Sequence, residues 1–168
     1  MDHYGSYEGF IEYHEARGRE IPDTWDNDFI EAALLVATEW LDGVYGPSLS
    51  GEKVGGFTQT LEWPRLNAFT NTCPIYIFPQ DEIPVRVINA TYEAAFRQGT
   101  SPGSLSVDYT PGKYKSVTVE GAISVDYAQF SSSSDIQVQI GIIDRLMYPL
   151  LTGTGSGFSP LSGGVSRV

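Results

Sequence analysis

The chain has 168 residues, 41% of them hydrophobic, enough for one ordinary globular domain with its own core and too short for two of typical size. Its 21 acidic residues outweigh 10 basic ones, and the formal net charge of −11 repels phosphate backbones and anionic membrane surfaces, which disfavours nucleic acid as a tight partner. A single cysteine, Cys73, rules out an intrachain disulfide and a cysteine zinc cluster and fits synthesis in a reducing cytoplasm.

The N-terminus, MDHYGSYEGF, has no basic flank and no apolar run, and no apolar stretch reaches the ~18 residues of a membrane span, so neither a signal peptide nor a spanning helix is expected. SYEGFIEYHEARG predicts a short helix, with Ser6 as N-cap, Phe10, Tyr13 and His14 or Arg17 at helical spacing, and Gly18 as the stop. A longer helix follows in DNDFIEAALLVATEWLDGVYG. Ile30, Ala33, Leu34, Ala37, Leu41 and Val44 recur at i, i+3, i+4 and i+7, while Phe29, Val36 and Trp40 widen the stripe. Asp26 and Asp28 suit its positive end, and Gly43 and Gly46 are expected to end it.

From Pro47 to Pro79, glycines and prolines interrupt every pattern, which predicts a long loop of the kind that is usually functional or interfacial. DEIPVRVINATYEAAFRQG predicts a third helix, with Pro84 in its first turn, Val85, Ile88, Tyr92 and Phe96 or Ala95 on one face, and Gly99 closing it. In KSVTVEGAISVDYA, Val117 and Val119, then Ile123, Val125 and Tyr127, alternate with polar residues, a β-hairpin over about 115–128 turning at Glu120-Gly121. Ser131 to Ser134 with Asp135 can cap a last helix carrying Ile136, Ile140, Ile143, Met147 and Leu150, which Gly141 allows to start only near Gln139. The chain closes with TGTGSGFSPLSGGVSRV, which has no periodicity. The expected architecture is mainly α: a small helical bundle with a β-hairpin, long loops and an extended C-terminal arm, divided as a domain over 1–151 and an arm over 152–168.

Catalytic and metal constellations are absent from the sequence. The two histidines, His3 and His14, form no H-E-x-x-H, and His14 reads as a surface or packing residue. Nothing around Cys73 supplies a base, which leaves a buried or idle thiol. The GTGSG of the tail lacks the preceding strand and the Gly-Lys-Ser/Thr ending of a phosphate loop. No catalytic residue, metal or cofactor is expected, and the abundant carboxylates read as solvated surface. Trp63-Pro64-Arg65 is more pointed: Trp63 can bury a large ring and Arg65 can reach a carboxylate or carbonyl, so the stretch reads as a loop anchor, with direct base stacking the weaker alternative because only Lys53 and Arg65 lie near.

The order YHEARG, EAALLVATEWLDGVYG, QTLEWPR, IPVRVINATYEAA, SVDYTPGKYKSVTVEGAISVDYA and IDRLMYPLLTG resembles a family of tailed-bacteriophage head–tail adaptor, or head completion, proteins, from about Tyr7 to Val168. Members of that family are often labelled single-stranded-DNA-binding proteins after a remote similarity to a primosomal protein, a label the acidic composition disfavours. The resemblance implies a non-catalytic virion protein at the head–tail junction. It would form a ring of about twelve copies between portal protein and tail or neck protein, through which double-stranded DNA passes without being held, with no membrane partner. By position, Arg17, Trp40, Leu41, Asp42, Trp63, Pro64, Arg65, Pro84 and Glu93 would be scaffold. Val117, Val119, Ile123 and Val125 of the hairpin need a covering surface and would supply contacts to another subunit or to the tail. Phe158, Leu161, Val165, Arg167 and Val168 would anchor the arm on the portal. The alternative, from a different class, is a single-stranded-DNA-binding replication accessory protein.

Overall fold

The computed structural model describes residues 2–106, 116–119, 123–126 and 140–152. The arm residues Phe158, Leu161, Val165, Arg167 and Val168, the Ser131–Asp135 cap and the Glu120-Gly121 turn lie outside the described residues.

The fold is mainly α, with four helices among the described residues and a small antiparallel hairpin. Helix α1 (Tyr7–Glu15) begins where the Ser6 hydroxyl accepts from Gly9 N at 3.1 Å, and buries Phe10, Tyr13 and His14. The chain then reverses, with Gly18 at a φ of 67°. Helix α2 (Asn27–Tyr45) is capped by Asp26, whose carboxylate accepts from Phe29 N at 2.9 Å. Its buried face is Ile30, Ala33, Leu34, Ala37, Thr38, Leu41 and Tyr45. This stripe is narrower than the apolar pattern predicts: Phe29 is exposed, and Trp40 and Val44 pack only on the margin of the core. Gly43 does not end the helix, which runs to Tyr45 and into a 3₁₀ turn, Gly46–Ser48. At Gly46 a Cβ would press on the side chain of Glu62, so the glycine makes room for the loop above it.

Helix α3 (Val85–Thr100) is the centre of the bundle, packed on α2, on α1 and on α4 (Gly141–Met147). Residues Val87 and Ala90 through Ala95 are all buried, because Ala90, Ala94 and Ala95 let neighbouring helices approach closely while Tyr92 fills the space beside α1. Val85, expected in the core, is instead exposed at the first turn, and Gly99 lies inside the helix, where a side chain would collide with the ring of Trp25. Ile140, Ile143, Met147 and Leu150 close the core from α4 and the turn after it. In the hairpin, β3 (Ser116–Val119) pairs with β4 (Ile123–Asp126), setting Val117 opposite Val125 and Val119 opposite Ile123.

The Pro47–Pro79 region contains two-residue strands, β1 (Glu52–Lys53) against β2 (Arg65–Leu66), a 3₁₀ turn, Gly56–Thr58, and two isolated bridges, Leu49 to Leu151 and Phe69 to Ile77. The Trp63-Pro64 and Cys73-Pro74 peptide bonds are cis.

Candidate functional site

The long loop is held by buried polar groups. Tyr4 is fully buried; its hydroxyl donates to the Asp42 carboxylate at 2.8 Å and accepts from Trp63 N at 3.0 Å, while Asp42 also accepts from Glu62 N at 2.9 Å. Burial raises the Asp42 carboxyl to about 6, against the opposing pull of the Glu62 amide and the Tyr4 hydroxyl, and burial beside Asp42 likewise raises the Tyr4 phenol. Buried Arg65 donates from Nε to Ser50 O at 2.8 Å and from Nη2 to Gly51 O at 2.7 Å, and its Nη1 meets Glu62. A side chain at Gly51, with its φ of 71°, would strike the backbone of Leu66 and Ala68, so glycine is required where these segments cross.

On that base stands a narrow ribbon, residues 68–78. Phe78 N donates to Ala68 O and Thr70 N to Tyr76 O, both at 2.9 Å, and the Thr70 hydroxyl accepts from Tyr76 N at 2.9 Å. The Ser50 hydroxyl bonds both N and O of Phe69 at 2.8 Å, and the Asn71 amide donates to Tyr148 O and Leu151 O, tying the ribbon to the end of the last helix. Phe69 and Ile77 are bridge partners and share one side of the ribbon, where they are 40% and 66% exposed. Alternation puts Tyr76 and Phe78 on the other side, with ring centroids 5.0 Å apart, and Phe78 in turn packs on the buried Trp63 at 5.6 Å. An aromatic series thus climbs from the core to a half-exposed Tyr76.

The electrostatics of this surface differ from those of the chain as a whole, since Leu66 to Gln80 contains no charged residue. Of the two cations on the adjoining strands, Lys53 pairs with Glu62 at 2.8 Å and Arg65 is buried. A cavity of about 480 Å³ between α2 and the loop presents Asp2, Glu39 and Asp42, and among the described residues no cluster of three His, Cys, Asp or Glu could hold a metal ion.

The scaffold candidates spread over the molecule. Trp63, Pro64 and Arg65 sit together under the ribbon, with Trp63 in the core. Leu41 is buried in α2; Trp40 lies at the core margin with its ring 6.1 Å from Tyr45. Arg17 is exposed, its guanidinium 3.4 Å from the Tyr13 ring centroid. His14 is a packing residue, fully buried between Phe10 and Phe96, with Nε2 at 3.2 Å from Tyr92 O and Nδ1 facing Arg19. Buried Glu93 accepts from Tyr13 and Arg19 beside it, raising the Tyr13 phenol to about 12 by burial and by its charge. Cys73 is a free, exposed thiol, so of the two expected alternatives, buried or idle, the buried one does not hold. Phe69, Tyr76 and Ile77 were missed, although the alternation in IYIF within an uncharged stretch is a period-two signal.

One family model matches residues 1–162, and its description is "Putative DnaT-like ssDNA binding protein". No curated protein and no solved structure matches the chain. The match overturns the head–tail adaptor expectation together with what it implied: the virion connector role, the portal and tail partners, the twelve-copy ring and the passage of DNA without binding. Those expectations leaned on motif order and on net charge. A sum of −11 over the chain does not describe a local stretch such as Leu66–Gln80, which itself carries no charged residue. Matched over residues 1–162, the chain belongs to the family of DnaT-like ssDNA binding proteins.

Proposed function

We propose that this protein binds single-stranded DNA and performs no catalysis of its own. The observation that carries the reading is the family match over residues 1–162. The geometry is compatible in one specific respect: aromatic rings stand exposed on a braced stretch without charged residues, with Phe69 40% and Tyr76 52% exposed. A strand with unpaired bases can stack on such rings, whereas a duplex keeps its bases engaged with one another.

The test is an anisotropy titration of a labelled oligo(dT) of about 30 nucleotides against the full chain, beside a duplex of the same length. Saturable binding of the single strand, at least about tenfold tighter than of the duplex, is expected. Absence of single-strand binding at tens of micromolar protein overturns the proposal.

A further inference from the structure

We infer that the binding site is the ribbon 68–78 and that it takes the bases of a single strand by stacking, with little contribution from phosphate contacts. The inference rests on the proposed binding of single-stranded DNA and adds where and how it occurs.

Three observations converge on the ribbon. Its side chains are large, apolar and open to solvent: Phe69, Ile75, Tyr76 and Ile77 are 40%, 68%, 52% and 66% exposed. The surface is also ordered in advance. Tyr76 leans on Phe78, Phe78 on Trp63, and Asn71 and Ser50 fasten the backbone on either side of Phe69, so a ligand meets rings whose freedom is already spent. Finally, the ribbon carries no charged residue from Leu66 to Gln80 in a chain of net charge −11, so a strand laid across it by its bases meets no carboxylate of the ribbon itself, the nearest in sequence being Asp81 and Glu82 beyond its end.

The same facts fix the mode. The adjoining cations are engaged, Lys53 with Glu62 and Arg65 in the buried knot, and the exposed Arg86, Arg97 and Arg145 stand on α3 and α4. Without cations on the ribbon, few counterions are released when DNA binds, so affinity depends weakly on salt. Stacking is available to every base, so sequence preference is small and unpaired bases are required.

The experiment titrates oligo(dT) into the parent chain and into Phe69→Ala, Tyr76→Ala and Tyr76→Trp variants at about 50 and about 200 mM salt, with helical circular dichroism checking that each variant is folded. The parent should lose less than about threefold in affinity across that range, where six to ten phosphate contacts would cost ~10³-fold or more. Each alanine should weaken binding about tenfold, and Tyr76→Trp should retain it, because the larger ring still stacks. Alanine variants that are folded and bind like the parent overturn the site. A steep salt dependence overturns the stacking mode and directs attention to cations such as Lys113 and Lys115. If the parent binds no oligonucleotide, the functional proposal and this inference fall together; if the parent binds and the ring variants match it, only this inference falls.

Discussion

Tyr4 and Asp42 meet across 38 positions of chain, the phenol hydroxyl donating to one carboxylate oxygen at 2.8 Å and the other at 3.0 Å, and through this contact the N-terminus, α2 and the loop at Trp63 become one unit. Burial raises the Asp42 carboxyl from 3.8 to about 6. A carboxyl raised on folding makes the native state hold its proton more tightly than the unfolded chain does. Its contribution is therefore most favourable below about 4 and is lost as pH rises through about 6. The full difference corresponds to about 3 kcal/mol before solvent screening reduces it. Asp42→Asn removes the titration, so denaturation from about pH 4 to about pH 7 should show the variant gaining on the parent as pH rises. A pH-independent difference between the two contradicts the assignment.

His14 has the opposite sign. Burial among Phe10, Tyr13 and Phe96 lowers its pKa from 6.5, against the pull of Tyr92 O and the Glu93 charge and with the help of Arg19 and Arg17. The unfolded chain takes up a proton below about 6.5 that the native state resists, so stability falls on acidification through that point. His14→Gln should be less stable at neutral pH from lost ring packing, yet lose less than the parent between about pH 7 and about pH 5. Equal acid losses in parent and variant would refute a neutral, buried His14. Because Asp42 and His14 oppose each other, each offsets part of the other's pH dependence in the parent.

Arg65 spans three acceptors that a lysine cannot reach together: Ser50 O, Gly51 O and Glu62. Arg65→Lys leaves at least one buried carbonyl unsatisfied and should cost about 2 kcal/mol in denaturant unfolding at neutral pH. A loss below about 0.5 kcal/mol would mean that water, and not the guanidinium, satisfies those carbonyls.

Much of this fold is legible in the sequence where periodicity and caps agree. Ser6 and Asp26 start α1 and α2 as their side chains predict, and the Ile30 to Leu41 pattern is the buried face. The pattern misleads at two glycines that read as helix stops but lie inside helices: Gly99 is small because Trp25 packs on it, whereas Gly43 faces open space and is simply carried through by the packing of α2. Val85 reads as core and is exposed, since an apolar residue in a first turn has no helix neighbour to cover it. The ribbon was harder still. Its scaffold is assembled from Tyr4, Asp42, Ser50, Arg65 and Asn71, residues far apart in the chain whose hydrogen bonds leave no local pattern. Trp63 and Arg65 signalled an anchor, but what they anchor, Phe69 and Tyr76, emerges only once the loop is folded.

The most direct measurement is photocrosslinking of the full chain to an oligonucleotide in which thymidine is replaced by 5-bromodeoxyuridine, followed by mass spectrometry of the adducts. A base stacked on Tyr76 or Phe69 lies within bond-forming reach of the ring, so adducts should fall within residues 66–80, with Tyr76 the principal site, and should persist at about 200 mM salt. Adducts confined to other parts of the chain, or none above the level given by the duplex, would contradict the account.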